Sequence, residues 1–153
     1  MPAATMAAKK KTVTTTSSPV CDVEWGRGVH DVRLVLNVTP VPASRPRVSK
    51  WGAYYGKNHT AWKKLAEQHI PEAEHKLMGP IEAVIEVVCP RPKTTKRDWP
   101  RGDVDNFVKL FLDILTDKGY WLDDDEITVL HVAKRFVDED EPARMRIHAS
   151  NIL

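Results

Sequence analysis

Cysteine is scarce in this chain: Cys21 and Cys89 are the only two, and they lie far apart. With no CxxC and no close pair, a cysteine zinc site and a disulfide framework are both disfavoured, and a reducing compartment is expected. The six histidines offer no H-x-H or H-x₃-H pairing, which argues against zinc held by imidazole. No apolar run approaches the ~20 residues of a membrane span. An apolar core suited to a secretory signal is missing from the first nineteen residues, MPAATMAAKKKTVTTTSSP, and so is the arginine of a transit peptide. Small, polar and without periodicity, residues 1–19 read as a disordered tail. Residues 20–153 then read as one soluble, cytoplasmic domain, long enough to bury a core.

Strong net charge is also lacking: the sum is only +2. That sum conceals a segregation. Residues 43–59, ASRPRVSKWGAYYGKNH, carry Arg45, Arg47, Lys50 and Lys57 and no acid. Residues 90–102, PRPKTTKRDWPRG, carry Arg91, Lys93, Lys96, Arg97 and Arg101 against Asp98 alone. The acids gather at Asp103, Asp105 and the run DDDE at 123–126. Basic loops around an acidic centre fit a polyanionic partner. Trp51, Tyr54, Tyr55 and Trp99 lie among the basic residues, where they can stack on opened bases or cover the core edge. His59 falls in the first basic loop, within reach of a phosphate.

Periodicity supplies the elements. VRLVLNV at 32–38 alternates as a strand, with VEWGRGVHD before it as a partner strand and turn. A helix starts near Asn58 or Thr60, with Trp62, Leu65, Ala66 and His69 on its apolar face. Pro71 ends or kinks it, and a further turn or two is expected to reach Leu77. IEAVIEVV at 81–88 is the next strand. Phe107, Leu110, Phe111, Ile114 and Leu115 mark an amphipathic helix closed by Gly119. ITVLHVAKRFV (127–137) and ARMRIHA (143–149) read as a strand hairpin joined by DEDEP. The fold class is α+β: a small mixed, mostly antiparallel sheet with two main helices.

The chemistry lies in RGDVDNFVKLFLDIL, residues 101–115. One aspartate before a helix is an ordinary N-cap; Asp103 and Asp105 are two. On extended backbone they face the same side, with Val104 turned into the core. Hard oxygen donors without nearby His or Cys favour Mg²⁺, with Mn²⁺ as a substitute. A third acid is expected from the DDDE run. A helix of about twelve residues carries the chain ~18 Å away, and about eight extended residues can return ~26 Å. Lys109, one turn beyond Asp105, can reach a phosphate held there, and Asp113 continues the ladder. Spacing alone leaves a second reading open, in which Asp105 caps and Asp105–Lys109–Asp113 is an exposed salt-bridge ladder. An EF-hand is excluded, since Val108 and Ile114 fall on its glycine and acid positions.

The pattern D-V-D-N-F-V-K-L-F-L-D-I-L, followed by G-Y-W-L-D-D-D-E, resembles the RusA-type crossover junction endodeoxyribonucleases, the Holliday junction resolvases of phages and prophages. The resemblance spans about residues 30–150 and is strongest over 101–137. It implies a homodimer that cuts four-way DNA junctions with Mg²⁺. It also implies metal-binding acids at Asp103, Asp105 and Asp124, and an essential lysine at Lys109. The second aspartate of W-L-D-D falls on Asp124, with Asp125 and Glu126 directly after it. Paired symmetric nicks leaving 5′-phosphates are expected, with Arg45, Arg47, Lys50, Lys57, Lys93, Lys96, Arg97 and Arg101 contacting DNA phosphates. The rivals are a nuclease acting on flaps or forks and a junction-binding protein without catalysis.

Overall fold

The structure, a computed structural model, describes residues 20–42, 47–54 and 56–153. The tail expected over 1–19 lies outside the described residues, as do Arg45 and Tyr55. Among these residues ten elements run in order: β1 (Cys21–Trp25), β2 (Asp31–Leu36), β3 (Arg47–Ser49), β4 (Gly52–Tyr54), α1 (Lys57–His69), β5 (Ile81–Cys89), α2 (Val104–Asp117), a 3₁₀ turn (Asp124–Glu126), β6 (Ile127–Phe136) and β7 (Arg144–Asn151). β1, β2, β7, β5 and β6 form one sheet in that spatial order. Only the β5–β6 pair is parallel; the remaining pairs of this sheet are antiparallel. β3 and β4 make a separate two-stranded ribbon. The α+β class expected from the sequence is what the chain adopts.

Alternation drives the sheet onto its core. Val32, Leu34 and Leu36 of β2, Ile81, Ala83, Ile85 and Val87 of β5, and Met145, Ile147 and Ala149 of β7 are all buried. Side chains two apart on a strand share a face, so these form one apolar surface. Phe107, Phe111, Ile114 and Leu115 of α2 and Trp62 and Ala66 of α1 belong to the same cluster. The Trp62 and Phe111 rings meet edge to face with centroids 6.4 Å apart. The opposite face carries polar pairs instead, such as His148–Asp31 at 2.8 Å, His131–Glu82 at 3.0 Å and Arg135–Glu86 at 3.0 Å.

Three local expectations are corrected. β6 and β7 are not a hairpin: β5 lies between them, and α2 carries the chain from β5 to its parallel neighbour β6. Parallel neighbours need such a crossover, which local periodicity does not reveal. The buried face of α1 is His59, Trp62 and Ala66, while Leu65 and His69 are exposed. His59 is therefore a helix residue only 8% exposed, not a loop residue facing phosphate. Burial is the main reason, with Lys63 adding to it, that its pKa is lowered. No helix continues from Pro71 to Leu77. That stretch lies along the chain that follows α2, through Ala73 N–H to the Lys118 carbonyl and Leu77 N–H to the Tyr120 carbonyl, both 2.9 Å.

Candidate active site

The start of α2 is set by backbone conformation and packing. Asp103 is its N-cap, extended at φ −76° and ψ 142°, and its carboxylate makes no capping hydrogen bond. Asp105 lies in the first helical turn. The extended-backbone premise therefore fails beyond Asp103: the chain is helical from Val104, which is 38% exposed and does not enter the core. Before Asp103, Gly102 sits at φ +98°, a left-handed conformation that favours glycine. A Cβ there would stand 3.0 Å from Phe107 Cε2 and 3.1 Å from Pro42 Cβ. Pro42 immediately precedes the first basic loop, and Gly102 ends the second. The residue that leads into the first basic loop thus meets the end of the second at the start of α2.

The other end of α2 returns the chain. Gly119 N–H donates to the Thr116 carbonyl (3.0 Å) and Tyr120 N–H to the Leu115 carbonyl (3.1 Å), with Gly119 at φ +89°. This is the paired-bond termination that glycine permits after a helix. Tyr120 and Trp121 are each 1% exposed and pull the reversed chain against the core. The Trp121 indole donates to Thr116 Oγ1 at 2.7 Å and the Tyr120 hydroxyl to the Pro71 carbonyl at 3.0 Å. Polar handles on buried aromatics find partners in this way.

That return delivers the acidic run, and its four residues divide their work. The Asp123 carboxylate accepts from Asp125 N–H at 3.0 Å. Glu126 accepts from Leu122 N–H at 3.0 Å and from Gly79 N–H at 3.1 Å, and its bond from Asp123 N–H at 3.4 Å completes a capping box on the 3₁₀ turn. Asp125 is exposed. Asp124 reaches back to α2, its Oδ2 accepting from Lys109 Nζ at 3.1 Å. Lys109 Nζ also donates to Asp113 Oδ1 at 3.0 Å.

The pair is electrostatically self-consistent. Hydrogen bonds from Lys109 to Asp113 and Asp124 hold its pKa above the ordinary lysine value. The same ammonium holds the Asp124 carboxyl below the usual carboxylate range. Both groups are therefore ionised at neutral pH, and Lys109 is a fixed cation rather than a proton acceptor.

Of the acids named from the sequence, Asp103 and Asp105 are exposed at the start of α2 and Asp124 meets Lys109 further along it. Among the described residues no three His, Cys, Asp or Glu side chains gather into a metal-binding group. In donor type the three carboxylates fit a hard cation.

Lys50, Lys57, Lys93, Lys96 and Arg101 are exposed, and Arg97 is half-buried with its guanidinium 5.6 Å from the Trp99 ring centroid. Arg91 folds back instead, its guanidinium 4.3 Å from the Phe136 ring centroid and 3.1 Å from the Arg97 carbonyl. Trp51 and Trp99 are 86% and 56% exposed. The Arg47 and Tyr54 side chains lie outside what is described.

Sequence reasoning missed Lys134, whose ammonium donates to the Pro100 carbonyl at 2.7 Å and to the Gly102 carbonyl. A lysine in a strand gives no local signal of such a role.

A family profile described as endodeoxyribonuclease RusA matches residues 37–148. The chain belongs to the RusA endodeoxyribonuclease family. The matched span runs from the end of β2 into β7, so it takes in both basic loops, α2 and the returning acidic run. A search of curated proteins finds no match. Among the described residues no helix is long and apolar enough to cross a membrane.

Proposed function

We propose that this RusA-family nuclease resolves four-way DNA junctions by paired symmetric nicks, using Mg²⁺ held by Asp103, Asp105 and Asp124. One observation carries the reading most. The chain after α2 turns back and places Asp124, alone of its acidic run, on Lys109, one helical turn beyond Asp105. A purely capping acidic turn needs no such contact.

Each residue then has a task. Asp103, Asp105 and Asp124 would hold the cation, which would supply the positive charge that activates a water and braces the scissile phosphate. The lowered pKa of Asp124 keeps that carboxylate available at neutral pH. Lys109, permanently charged, supplies positive charge against the extra negative charge of the phosphoryl transition state. Asp113 holds the Lys109 side chain over the helix face. The exposed cations of the two basic loops, Lys50, Lys57, Lys93, Lys96 and Arg101, with Arg97, Arg45 and Arg47, bind junction arms through phosphates, which makes affinity steeply salt-dependent. Two matching cuts require two sites in two-fold register, which a homodimer of this chain supplies.

The test is a panel of end-labelled substrates: a four-way junction, a flap, a fork and linear duplex. Paired symmetric nicks confined to the junction support the reading. Equal or faster cutting of flaps or forks would reassign the substrate and leave the site intact.

A further inference from the structure

We propose that Lys134 is a positioning residue that sets the entry of the chain into α2 and so aims Asp103 at the metal; this rests on the site reading given above. Lys134 lies on β6 directly opposite Val87, a fully buried core position of β5. An apolar side chain is the ordinary occupant of such a place, since a half-buried ammonium loses hydration. Here the ammonium is repaid by two carbonyls, Pro100 at 2.7 Å and Gly102. Those carbonyls belong to the segment that leads directly into Asp103.

The usual fixing device, a hydrogen bond from the N-cap side chain to the helix, is absent at Asp103. Its carboxylate is thereby left for a ligand, and the backbone must be held from outside the helix. Lys134 does so from the sheet, while Gly102, at φ +98° and tight against Phe107 and Pro42, holds it from the helix side. The ammonium acts through the backbone and touches no substrate.

Lys134→Met keeps the stem and removes the donors. Mn²⁺ affinity in the absence of DNA, read from the free-ion paramagnetic signal, should fall ~10- to 100-fold, the range seen when groups orienting a metal ligand are removed. Junction cleavage should fall by a similar factor, junction affinity should stay within about twofold, and Lys134→Arg should recover part of both losses. Ile85→Val, a core change away from the site, serves as the control for lowered stability. If Lys134→Met does not fold, Lys134→Gln carries the same comparison.

Wild-type Mn²⁺ affinity in Lys134→Met overturns the proposal alone. So do losses matched by Ile85→Val at equal melting temperature, because the effect is then stability. Wild-type protein that neither binds Mn²⁺ nor cuts overturns the site reading itself, and this inference with it.

Discussion

Replacing Lys109 by methionine should separate stability from chemistry. The ammonium makes two ion pairs, at 3.0 Å to Asp113 and 3.1 Å to Asp124, but its side chain is 67% exposed. Exposed pairs contribute ~0.2–1 kcal/mol each. With solvent screening the two together are worth less than about 1 kcal/mol, and Tm should fall by no more than ~4 °C for a chain of this size. Cleavage is a different matter. Removing one preorganised donor from a developing oxyanion costs ~10²–10³ in rate, about 2.7–4 kcal/mol. Single-turnover cleavage of a labelled four-way junction, beside thermal melting of the same preparation, reads both quantities. Cleavage within about threefold of wild type would remove Lys109 from the chemistry. A Tm drop beyond ~10 °C would instead make it a structural staple and refute the exposure argument.

Glu141, gripped through both carboxylate oxygens by Arg135, has its pKa held down to about 2 from 4.5. A lowered folded-state pKa gives stability that is complete above about 4.5 and lost as pH falls from there through about 2. Glu141→Gln should flatten the stability profile in that window, and an unchanged acid transition by circular dichroism would contradict the assignment. Gly102→Ala forces a Cβ to 3.0 Å from Phe107 at φ +98°, so it should cost ~1–3 kcal/mol and lower cleavage, since Asp103 follows directly. An unchanged melting curve would show that the turn tolerates a side chain. Burial, aided by Asp22, pushes the Cys21 thiol up to about 11, so alkylation by iodoacetamide at pH 8 should be far slower in native than in urea-unfolded protein. Equal rates would refute that burial.

The sequence disclosed most where one physical rule acted alone. Alternation over 81–87 and the i, i+4, i+7 stripe of Phe107, Phe111 and Ile114 located β5 and α2, because one face of each must be buried. Gly119 marked the reversal after α2, since its conformation is one that L side chains rarely adopt. Where long-range contacts decided, local reading failed. The parallel placement of β6 beside β5 depends on a crossover, and the non-helical course of 71–77 depends on bonds to Lys118 and Tyr120. At the candidate site, the D-x-D spacing drew attention to Asp103 and Asp105 but misjudged their backbone, because the helix begins between them. Within DDDE, composition cannot say which acid is spare. That follows from a capping box occupying Asp123 and Glu126 while Asp124 meets Lys109.

The central claim is that Asp103 and Asp124, far apart in sequence, serve one metal-dependent cutting site. It is tested most directly by cleavage of a labelled four-way junction with Mg²⁺ or with EDTA, for wild type, Asp103→Asn and Asp124→Asn. Cutting by wild type only with Mg²⁺ is predicted, with a loss of at least ~10²-fold in each variant and junction binding as tight as before or tighter. Cutting in EDTA, or wild-type rates from Asp124→Asn, would contradict it.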